Sequence, residues 1–333
     1  MHQWRHIQKE NFRKLKELGE YLKLDLSYSS SFPLNLPRRL AEKIEKGNLK
    51  DPILKQFLPA DEEEKAPLSF VDDPVCDTSF QKTHRLLQKY NGRALFITTS
   101  ACAMHCRYCF RQNYPYENNT DFSEELKLIR SDSTLHEVIL SGGDPLSLSD
   151  ATLKRLIDEL GTIPHLKFLR FHTRFPIGIP ERITKEFLDI LRYSPLQVVF
   201  VVHVNHPREL DEGIFAALKQ VGALGIPLLC QSVLLSGVND NVATLKALFL
   251  TLASHGILPY YLHQLDKVKQ AHHFEVPIEK GLALMETLRK EVPGYALPKY
   301  VQEIPFEYSK VEVTSDPSSS DRGCRAPALE CDR

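Results

Sequence analysis

Residues 94–109 have the sequence ALFITTSACAMHCRYC, in which a β-rich run, ALFITT, leads directly into a loop that carries three cysteines. Five further runs rich in Val, Ile, Leu, Phe and Tyr follow it along the chain. They are nearly continuous in apolar residues, as strands buried on both faces are. With ALFITT they make six candidate strands. The five runs are EVILSG (137–142), LKFLRFHT (166–173), LQVVFVVHV (196–204), PLLCQSVLL (227–235) and LPYYLHQL (258–265).

Helical patterns separate these candidate strands. Leu153, Leu156, Ile157 and Leu160 fall at i, i+3, i+4 and i+7, and residues 245–252 repeat that spacing, which is typical of a helix with one buried face. The alternation of strand and helix predicts an α/β fold with a parallel sheet covered by helices, either an open doubly wound sheet or a barrel. Six units in about 175 residues favour a partial (β/α)6 barrel of the TIM type.

The chain divides into three segments by composition. Residues 1–90 are polar, with amphipathic helical patterns around 12–22 and 38–46, and we expect a mostly helical N-terminal extension that packs on the main domain. Residues 91–312 are predicted to form the barrel. The polar, Pro- and Ser-rich residues 313–333 are predicted to form a mobile tail.

Composition narrows the class of protein. The 333 residues are 42% apolar and 26% charged, as in an ordinary soluble globular protein. The 42 Lys and Arg residues balance 43 Asp and Glu residues, and the net charge of -1 provides no general attraction to nucleic acid or to an anionic membrane. The N-terminus lacks an uncharged signal core, and no stretch offers roughly 18 apolar residues. We therefore expect a cytoplasmic protein with no nucleic-acid or membrane partner.

The cysteine loop is the first candidate site. Cys102, Cys106 and Cys109 have a C-x3-C-x2-C spacing after the first candidate strand, where loops of a βα architecture build the active site. Thiolates suit iron-sulfur clusters and zinc, and three ligands leave one metal position open. The alternatives are a zinc site completed by His105 or another cysteine, and plain core cysteines. The other cysteines are Cys76, Cys230, Cys324 and Cys331.

The cysteine spacing, with Tyr108 before the last cysteine, resembles the signature of the radical S-adenosylmethionine (SAM) superfamily. Further segments, in order over about residues 90 to 310, resemble the lysine 2,3-aminomutase family. The chain is most similar to the shorter branch of that family, which isomerises lysine for the modification of elongation factor P. The segments are CRYCFR (106–111), SGGDPL (141–146), QSVLLSGVNDN (231–241), PYYLHQLD (259–266), DKVKQAHHF (266–274) and YVQEIPFEYSK (300–310).

The resemblance implies a 4Fe-4S cluster on the three cysteines. The amino and carboxylate groups of SAM would chelate its open iron, and an electron from a donor such as flavodoxin or ferredoxin would release a 5'-deoxyadenosyl radical. Gly142, Gly143 and Asp144 follow the second candidate strand, and paired glycines let backbone groups approach a ligand closely. These three residues are predicted to bind SAM near its methionine ammonium.

The resemblance also implies pyridoxal phosphate (PLP), which can hold a migrating nitrogen beside a carbon radical. Lys310 is the predicted catalytic anchor of this cofactor, with Lys299 as the alternative. Arg93 is predicted to bind the phosphate, which a guanidinium can hold by two parallel hydrogen bonds. The chain departs from the family at 306–309, where Phe-Glu-Tyr-Ser replaces a glycine-rich run and adds bulk and charge.

The implied substrate is L-lysine, isomerised to β-lysine by a 2,3-amino shift with SAM regenerated. Arg111 matches the family arginine that binds the substrate carboxylate. Asp266 and Glu303 match acidic positions that bind the distal ammonium, and Glu303 is one methylene longer than the family's aspartate. Other polar residues at strand ends could line the cavity or be structural. They are His172, His203, Asn205, Gln231 and Asn239.

Other functions stay open at this stage, and so does the oligomeric state. The enzyme could make free β-lysine for metabolism, or it could catalyse a different radical SAM reaction that consumes SAM without PLP. A noncatalytic protein whose metal site only stabilises the fold is the alternative from a different class.

Overall fold

The protein is described by a computed structural model over residues 3–28, 32–117 and 121–314. Residues 315–333 of the expected tail, with Cys324 and Cys331, lie outside these described residues. Within the described residues, ten strands form one sheet in which spatial order follows chain order. They are β1 (Gln81–Thr83), β2 (Leu86–Tyr90), β3 (Arg93–Thr99), β4 (Glu137–Gly142), β5 (Phe168–Thr173), β6 (Gln197–His203), β7 (Leu228–Val233), β8 (Leu258–His263), β9 (Lys299–Gln302) and β10 (Val311–Glu312).

The strands from β3 to β9 are parallel, and antiparallel strands flank them on both sides. The sheet ends at β1 and β10 without closing, so the predicted partial barrel is confirmed. The six predicted strands correspond to β3 through β8. The seventh parallel strand, β9, is only four residues long and was not among the predicted strands.

Helices cover the outer face of the sheet, and α5 to α11 lie in the connections between the parallel strands. The helices of the described residues are α1 (Gln3–Lys9), α2 (Leu15–Leu22), α3 (Arg38–Ala41), α4 (Pro52–Lys55), α5 (Ser123–Ser131), α6 (Asp150–Gly161), α7 (Phe175–Gly178), α8 (Lys185–Arg192), α9 (Glu212–Gly222), α10 (Val242–Ser254) and α11 (Ile278–Glu291).

Several connecting helices begin at side-chain caps that the sequence supplies. The side chains of Ser149, Thr184, Asp211 and Asn241 accept hydrogen bonds from backbone N–H groups in the first turns of α6, α8, α9 and α10, at 2.9–3.2 Å. Such a cap contributes about 1 kcal/mol. The helices predicted from apolar periodicity correspond to α6 and α10, and their four periodic residues are buried in each.

The N-terminal segment contributes short helices and two strands. Trp4 of α1 is buried and meets the ring of Phe175 edge-on at 5.4 Å, so this segment packs on the barrel. The helical pattern at 38–46 forms a regular helix only over Arg38–Ala41, a correction to the prediction. Strands β1 and β2 extend the sheet into the segment before residue 91. The domain boundaries themselves stay a prediction. Among the described residues, no helix is both long and apolar enough to cross a bilayer.

Candidate active site

A cavity of about 340 Å³ lies inside the open barrel. Its walls are the inward-facing residues of the strands and the loops at their carboxyl ends. All eleven residues predicted for the site line this cavity, so the fold brings together positions from residue 93 to residue 310. They are Arg93, Cys102, Cys106, Cys109, Arg111, Gly142, Gly143, Asp144, Asp266, Glu303 and Lys310.

The glycine pair holds the start of the cysteine loop. Gly142 has φ of +113°, a region that favours glycine, and a Cβ on Gly143 would lie 2.4 Å from the carbonyl oxygen of Ala101. The N–H of Gly143 donates to the carbonyl of Thr99 at 2.7 Å, and that of Asp144 to Ala101 at 2.8 Å. The glycines therefore let the loop after β4 pack directly against the backbone that leads to Cys102.

The Asp144 carboxylate is already engaged by the protein. It accepts hydrogen bonds from the Thr173 hydroxyl at 2.8 and 2.9 Å and from the backbone N–H groups of Leu146, Arg174 and Phe175 at 2.8–3.0 Å. Burial raises its pKa, and these donors oppose the shift. Asp144 thus ties the glycine loop to the loop after β5, which is a positioning role within the predicted SAM site.

The three cysteines all line the cavity. Burial raises the pKa of Cys109 to about 11, and the neighbouring Cys106 adds to the shift; burial also raises the pKa of Cys102. Within the described residues, no three Cys, His, Asp or Glu side chains already surround a single point as a metal site would. Three thiols on one loop in a common cavity are nevertheless the donor set that an iron-sulfur cluster with one open iron uses.

The residues considered as a fourth zinc ligand do not line the cavity in the described part of the chain. His105 holds the carbonyl oxygen of Pro33 through Nδ1 at 2.9 Å and does not line the cavity. Cys76 and Cys230 do not line it either. These three candidates therefore give the zinc alternative no support.

Arg93 presents an unused donor to the cavity. Its Nε is buried and has no hydrogen-bond partner within the described ranges, and its guanidinium lies 4.9 Å from the centre of the Tyr90 ring. A buried cationic donor without an acceptor is costly unless a ligand supplies one. Arg93 therefore fits the phosphate of the implied PLP.

Lys310 forms an ion pair with Glu303. Its Nζ lies 2.5 Å from Glu303 Oε2, while the other carboxylate oxygen accepts from the Tyr90 hydroxyl at 2.6 Å and lies 3.3 Å from Lys89 Nζ. Burial acts to raise the pKa of Glu303, but Lys310 and Lys89 outweigh it and lower the pKa to about 2. Glu303 is thus an ionised carboxylate with partners of its own.

The segment that departs from the family pattern turns its bulky side chains away from the cavity. Phe306 adopts a left-handed conformation with φ of +68°, is 48% exposed, and packs on Phe80 at a ring distance of 5.2 Å. Tyr308 is 86% exposed. Neither lines the cavity, whereas Ser309 and Lys310 do. The bulk expected near the cofactor is therefore outside, and the alternative anchor, Lys299, is exposed at the start of β9.

Arg111 is oriented by a buried carboxylate. Its Nε donates to Asp77 Oδ2 at 2.7 Å, and its Nη groups have no hydrogen-bond partner in the part of the chain that the structure describes. Burial acts to lower the pKa of Arg111, but Asp77 outweighs it and the pKa is raised. A guanidinium that is held through Nε, on a residue that lines the cavity, suits a substrate carboxylate.

Asp266 has no such partner. No hydrogen bond or ion pair engages its carboxylate among the described residues, although it lines the cavity beside Glu303. Burial, followed by the negative charge of Glu303, raises its pKa to about 7. The side chain is only partly exposed, and a carboxylate in such a place is costly without a directly paired cation.

Three further residues that line the cavity, Asp77, Lys89 and Arg174, were not predicted from the sequence. Asp77 and Lys89 lie before the barrel, and no pattern marks them. Arg174 follows β5 directly, and a charged residue at that strand end was a usable signal. Of the other polar residues considered, His172, His203 and Gln231 line the cavity. Asn205 and Asn239 are fully buried and hold the backbones of Val233 and Leu235.

Comparison with known proteins agrees with this geometry. A family model described as a 4Fe-4S single cluster domain matches residues 91–168, which contain the cysteines and the glycine pair. An L-lysine 2,3-aminomutase from Haemophilus influenzae is 43% identical over 283 residues, or 84% of each chain. The chain belongs to the L-lysine 2,3-aminomutase family. Another L-lysine 2,3-aminomutase, from Escherichia coli K12, is 41% identical over 286 residues, covering 85% of this chain and 83% of that protein.

A solved structure supports the fold independently. Streptococcus suis SuiB, in a crystal structure with bound S-adenosylmethionine, aligns with a TM-score of 0.50 and 14% identity, over 68% of this chain and 54% of SuiB. The chain thus spans about half of that larger protein. The predicted membership of the radical SAM superfamily and of the lysine 2,3-aminomutase family is confirmed, and the chain is an isomerase.

Proposed function

We propose that this enzyme converts L-lysine to β-lysine by a 2,3-amino shift, using a 4Fe-4S cluster, SAM and PLP. The observation that carries the choice of substrate is the unpartnered Asp266 carboxylate. Arg111 is paired with Asp77, and Glu303 is paired with Lys89 and Lys310, whereas the Asp266 carboxylate has no partner among the described residues. A distal ammonium on the substrate would supply the cation that this carboxylate lacks.

Each residue then has a task that its contacts support. Cys102, Cys106 and Cys109 hold the cluster, and Gly142 and Gly143 hold the cysteine loop beside SAM. Arg93 binds the phosphate and Lys310 anchors PLP. The cofactors supply the radical that removes a hydrogen from C3 and the delocalisation that carries the nitrogen from C2 to C3.

The substrate-binding residues fix which carbon reacts. Arg111, held by Asp77, binds the α-carboxylate, while Asp266 binds the ammonium at the other end of the chain. Two fixed ends position C3. The contacts of Glu303 with Lys310, Lys89 and Tyr90 support a role in holding the two lysines, and the ammonium is then assigned to Asp266. The enclosing barrel keeps the carbon radical away from other reactants.

The resemblance to the shorter family branch supports a product destined for elongation factor P. A cytoplasmic location and a flavodoxin or ferredoxin as electron donor belong to the same proposal. An anaerobic assay with lysine, SAM and dithionite, with and without PLP, tests the activity. Product that depends on PLP, without net loss of SAM, supports the proposal; net loss of SAM without PLP dependence contradicts it.

Asp266→Asn tests the substrate assignment. We expect the cluster, SAM binding and PLP binding to stay intact while kcat/KM for lysine falls. Removing one partner of a desolvated charge pair costs about 2 to 5 kcal/mol, which corresponds to roughly 30-fold to several thousand-fold. Norleucine, which lacks the distal ammonium, should be a poor substrate for the wild type and lose little more in the variant. Equal losses for both substrates would place Asp266 outside the substrate pocket.

The pH dependence of lysine use provides a second test of Asp266. Its pKa of about 7 means that lysine must displace a proton from the carboxylate below neutral pH. Glu303, Lys310, Lys89 and Asp77 are the charged groups that act on it. We expect kcat/KM for lysine, relative to norleucine, to fall about tenfold per pH unit below 7 in the wild type. The same ratio should be independent of pH in Asp266→Asn, and a parallel fall in both enzymes would contradict the assignment.

A further inference from the structure

Arg174 touches one of the cluster cysteines. It follows β5 directly, is 7% exposed, and its Nη1 donates to Cys106 Sγ at 2.8 Å and also to the Tyr108 hydroxyl. We infer that Arg174 is a positioning residue that orients the Cys106 thiolate and raises the reduction potential of the cluster. This inference rests on the proposed assignment of the cluster to the three cysteines.

The other terminal nitrogen of the guanidinium, Nη2, is held by buried groups. Nη2 donates to Gln56 Oε1 and to Glu209 Oε2, each at 2.7 Å. Gln56 in turn donates from Nε2 to Glu209 Oε1 at 3.0 Å, and both of these side chains are fully buried. Because two buried acceptors hold Nη2, the planar guanidinium has little freedom to rotate. Nη1 therefore stays directed at the cysteine loop, while Nε has no hydrogen-bond partner among the described residues.

Glu209 belongs to the fold independently of the cluster. Its carboxylate also accepts the backbone N–H groups of Asn205 and His206 at 3.1 and 2.9 Å, and so organises the loop after β6. An arginine that only neutralised Glu209 would need one of its terminal nitrogens for that contact. Nη1 of Arg174 instead donates to Cys106 and Tyr108, which places a fixed positive charge against a proposed cluster ligand.

The electrostatic consequence has a definite sign. A reduced cluster carries one more negative charge than an oxidised one, so a nearby cation stabilises the reduced form. Hydrogen bonds to cysteine sulfurs act in the same direction and are among the factors that set cluster potentials. Losing Arg174 should therefore make the cluster harder to reduce.

The N-terminal segment takes part in this arrangement through Gln56. Its side chain holds Arg174, and its backbone carbonyl accepts the N–H of Arg107, between Cys106 and Tyr108, at 2.9 Å. Residues just after α4 thereby contact both the cysteine loop and the arginine that touches Cys106. The segment before the barrel is thus part of the surroundings of the cluster.

The test is the reduction potential of the cluster in Arg174→Gln and Arg174→Lys after anaerobic reconstitution. Iron and sulfide are measured first, and the potential is then determined by redox titration monitored by electron paramagnetic resonance. We expect wild-type iron content, a more negative potential in Arg174→Gln, and a smaller shift in Arg174→Lys, which keeps the charge. Arg85→Lys is the matched control, because Arg85 is also buried against a glutamate, Glu125, at 2.9 Å, outside the cavity. Its potential should equal that of the wild type.

Potentials equal to wild type in both Arg174 variants, with the cluster retained, would overturn the inference. If Arg174→Gln fails to fold, Gln56→Leu removes one acceptor of the guanidinium without changing charge. A shift in the same direction by a smaller amount is expected there, and an unchanged potential overturns the inference as well. Wild-type protein that takes up no iron would refute the cluster assignment itself, together with this role for Arg174.

Discussion

Cys106→Ala is expected to abolish the iron-sulfur cluster and all cleavage of SAM. Three thiolates are the minimum that hold a 4Fe-4S cluster while leaving one iron open, so the loss of one thiolate removes the site as a whole. Cys106 is the middle ligand of the loop and the one whose sulfur accepts a hydrogen bond from Arg174. Its loss leaves a buried arginine without that partner, which adds to the damage.

The measurement is iron and sulfide content, visible absorption and SAM cleavage in protein reconstituted without oxygen. Cys230→Ala is the matched control, since Cys230 is a buried cysteine of β7 that does not line the cavity. It should keep wild-type iron and turnover apart from a modest loss of stability. Iron-sulfur absorption and full turnover in Cys106→Ala would refute the ligand assignment.

Lys310→Ala is expected to abolish covalent attachment of PLP and, with it, the amino shift. A covalent link to the aldehyde requires a primary amine, and Lys310 Nζ lies in the cavity on Glu303. The cluster and reductive cleavage of SAM should survive, because the three cysteines are not among the contacts of Lys310. Arg93 still offers its guanidinium to the phosphate, so weak noncovalent binding of PLP is expected to persist.

Borohydride reduction followed by peptide mapping measures the link directly. In the wild type the modified residue should be Lys310, and in Lys310→Ala no lysine should be modified. Lys299→Ala serves as the control, since Lys299 is exposed at the start of β9, and it should behave as wild type. Modification that disappears in Lys299→Ala instead would show that the C-terminal segment has been matched wrongly to the family.

The order of strands and helices was predictable because each of them produces a pattern of apolar residues over a short stretch of sequence. Apolar runs of strand length marked β3 through β8, and the spacing of Leu153 to Leu160 marked a helix, since side-chain period depends only on backbone geometry. The cysteine spacing predicted the cluster loop through its resemblance to the radical SAM signature. β9 was missed because four residues carry too little periodicity to distinguish a strand from a loop.

The eleven residues predicted from motifs all line the cavity, but their partners could not be predicted from the sequence. Phe306 and Tyr308 were expected to crowd the cofactor, but in the folded chain Phe306 adopts a left-handed conformation and both side chains are exposed. Glu303 looked like a second ligand for the substrate ammonium, and its contacts with Lys310 and Lys89 became visible only in the folded chain. The direction of a side chain and the partner that it contacts depend on residues that are distant in the sequence but close in the fold.

The sequence by itself determined the type of fold, the cluster loop and the family, because each depends on residues close together in the chain or on an ordered set of motifs. Tertiary structure alone decided which groups pair with the charged side chains. Arg174 and Gln56 are 118 residues apart, and Tyr90 and Glu303 are 213 apart. Such pairs form because the open barrel brings distant residues together in its interior, where a charge is costly unless it has a partner. Asp266 has no partner among the described residues, and we therefore propose it as the carboxylate that binds the substrate cation.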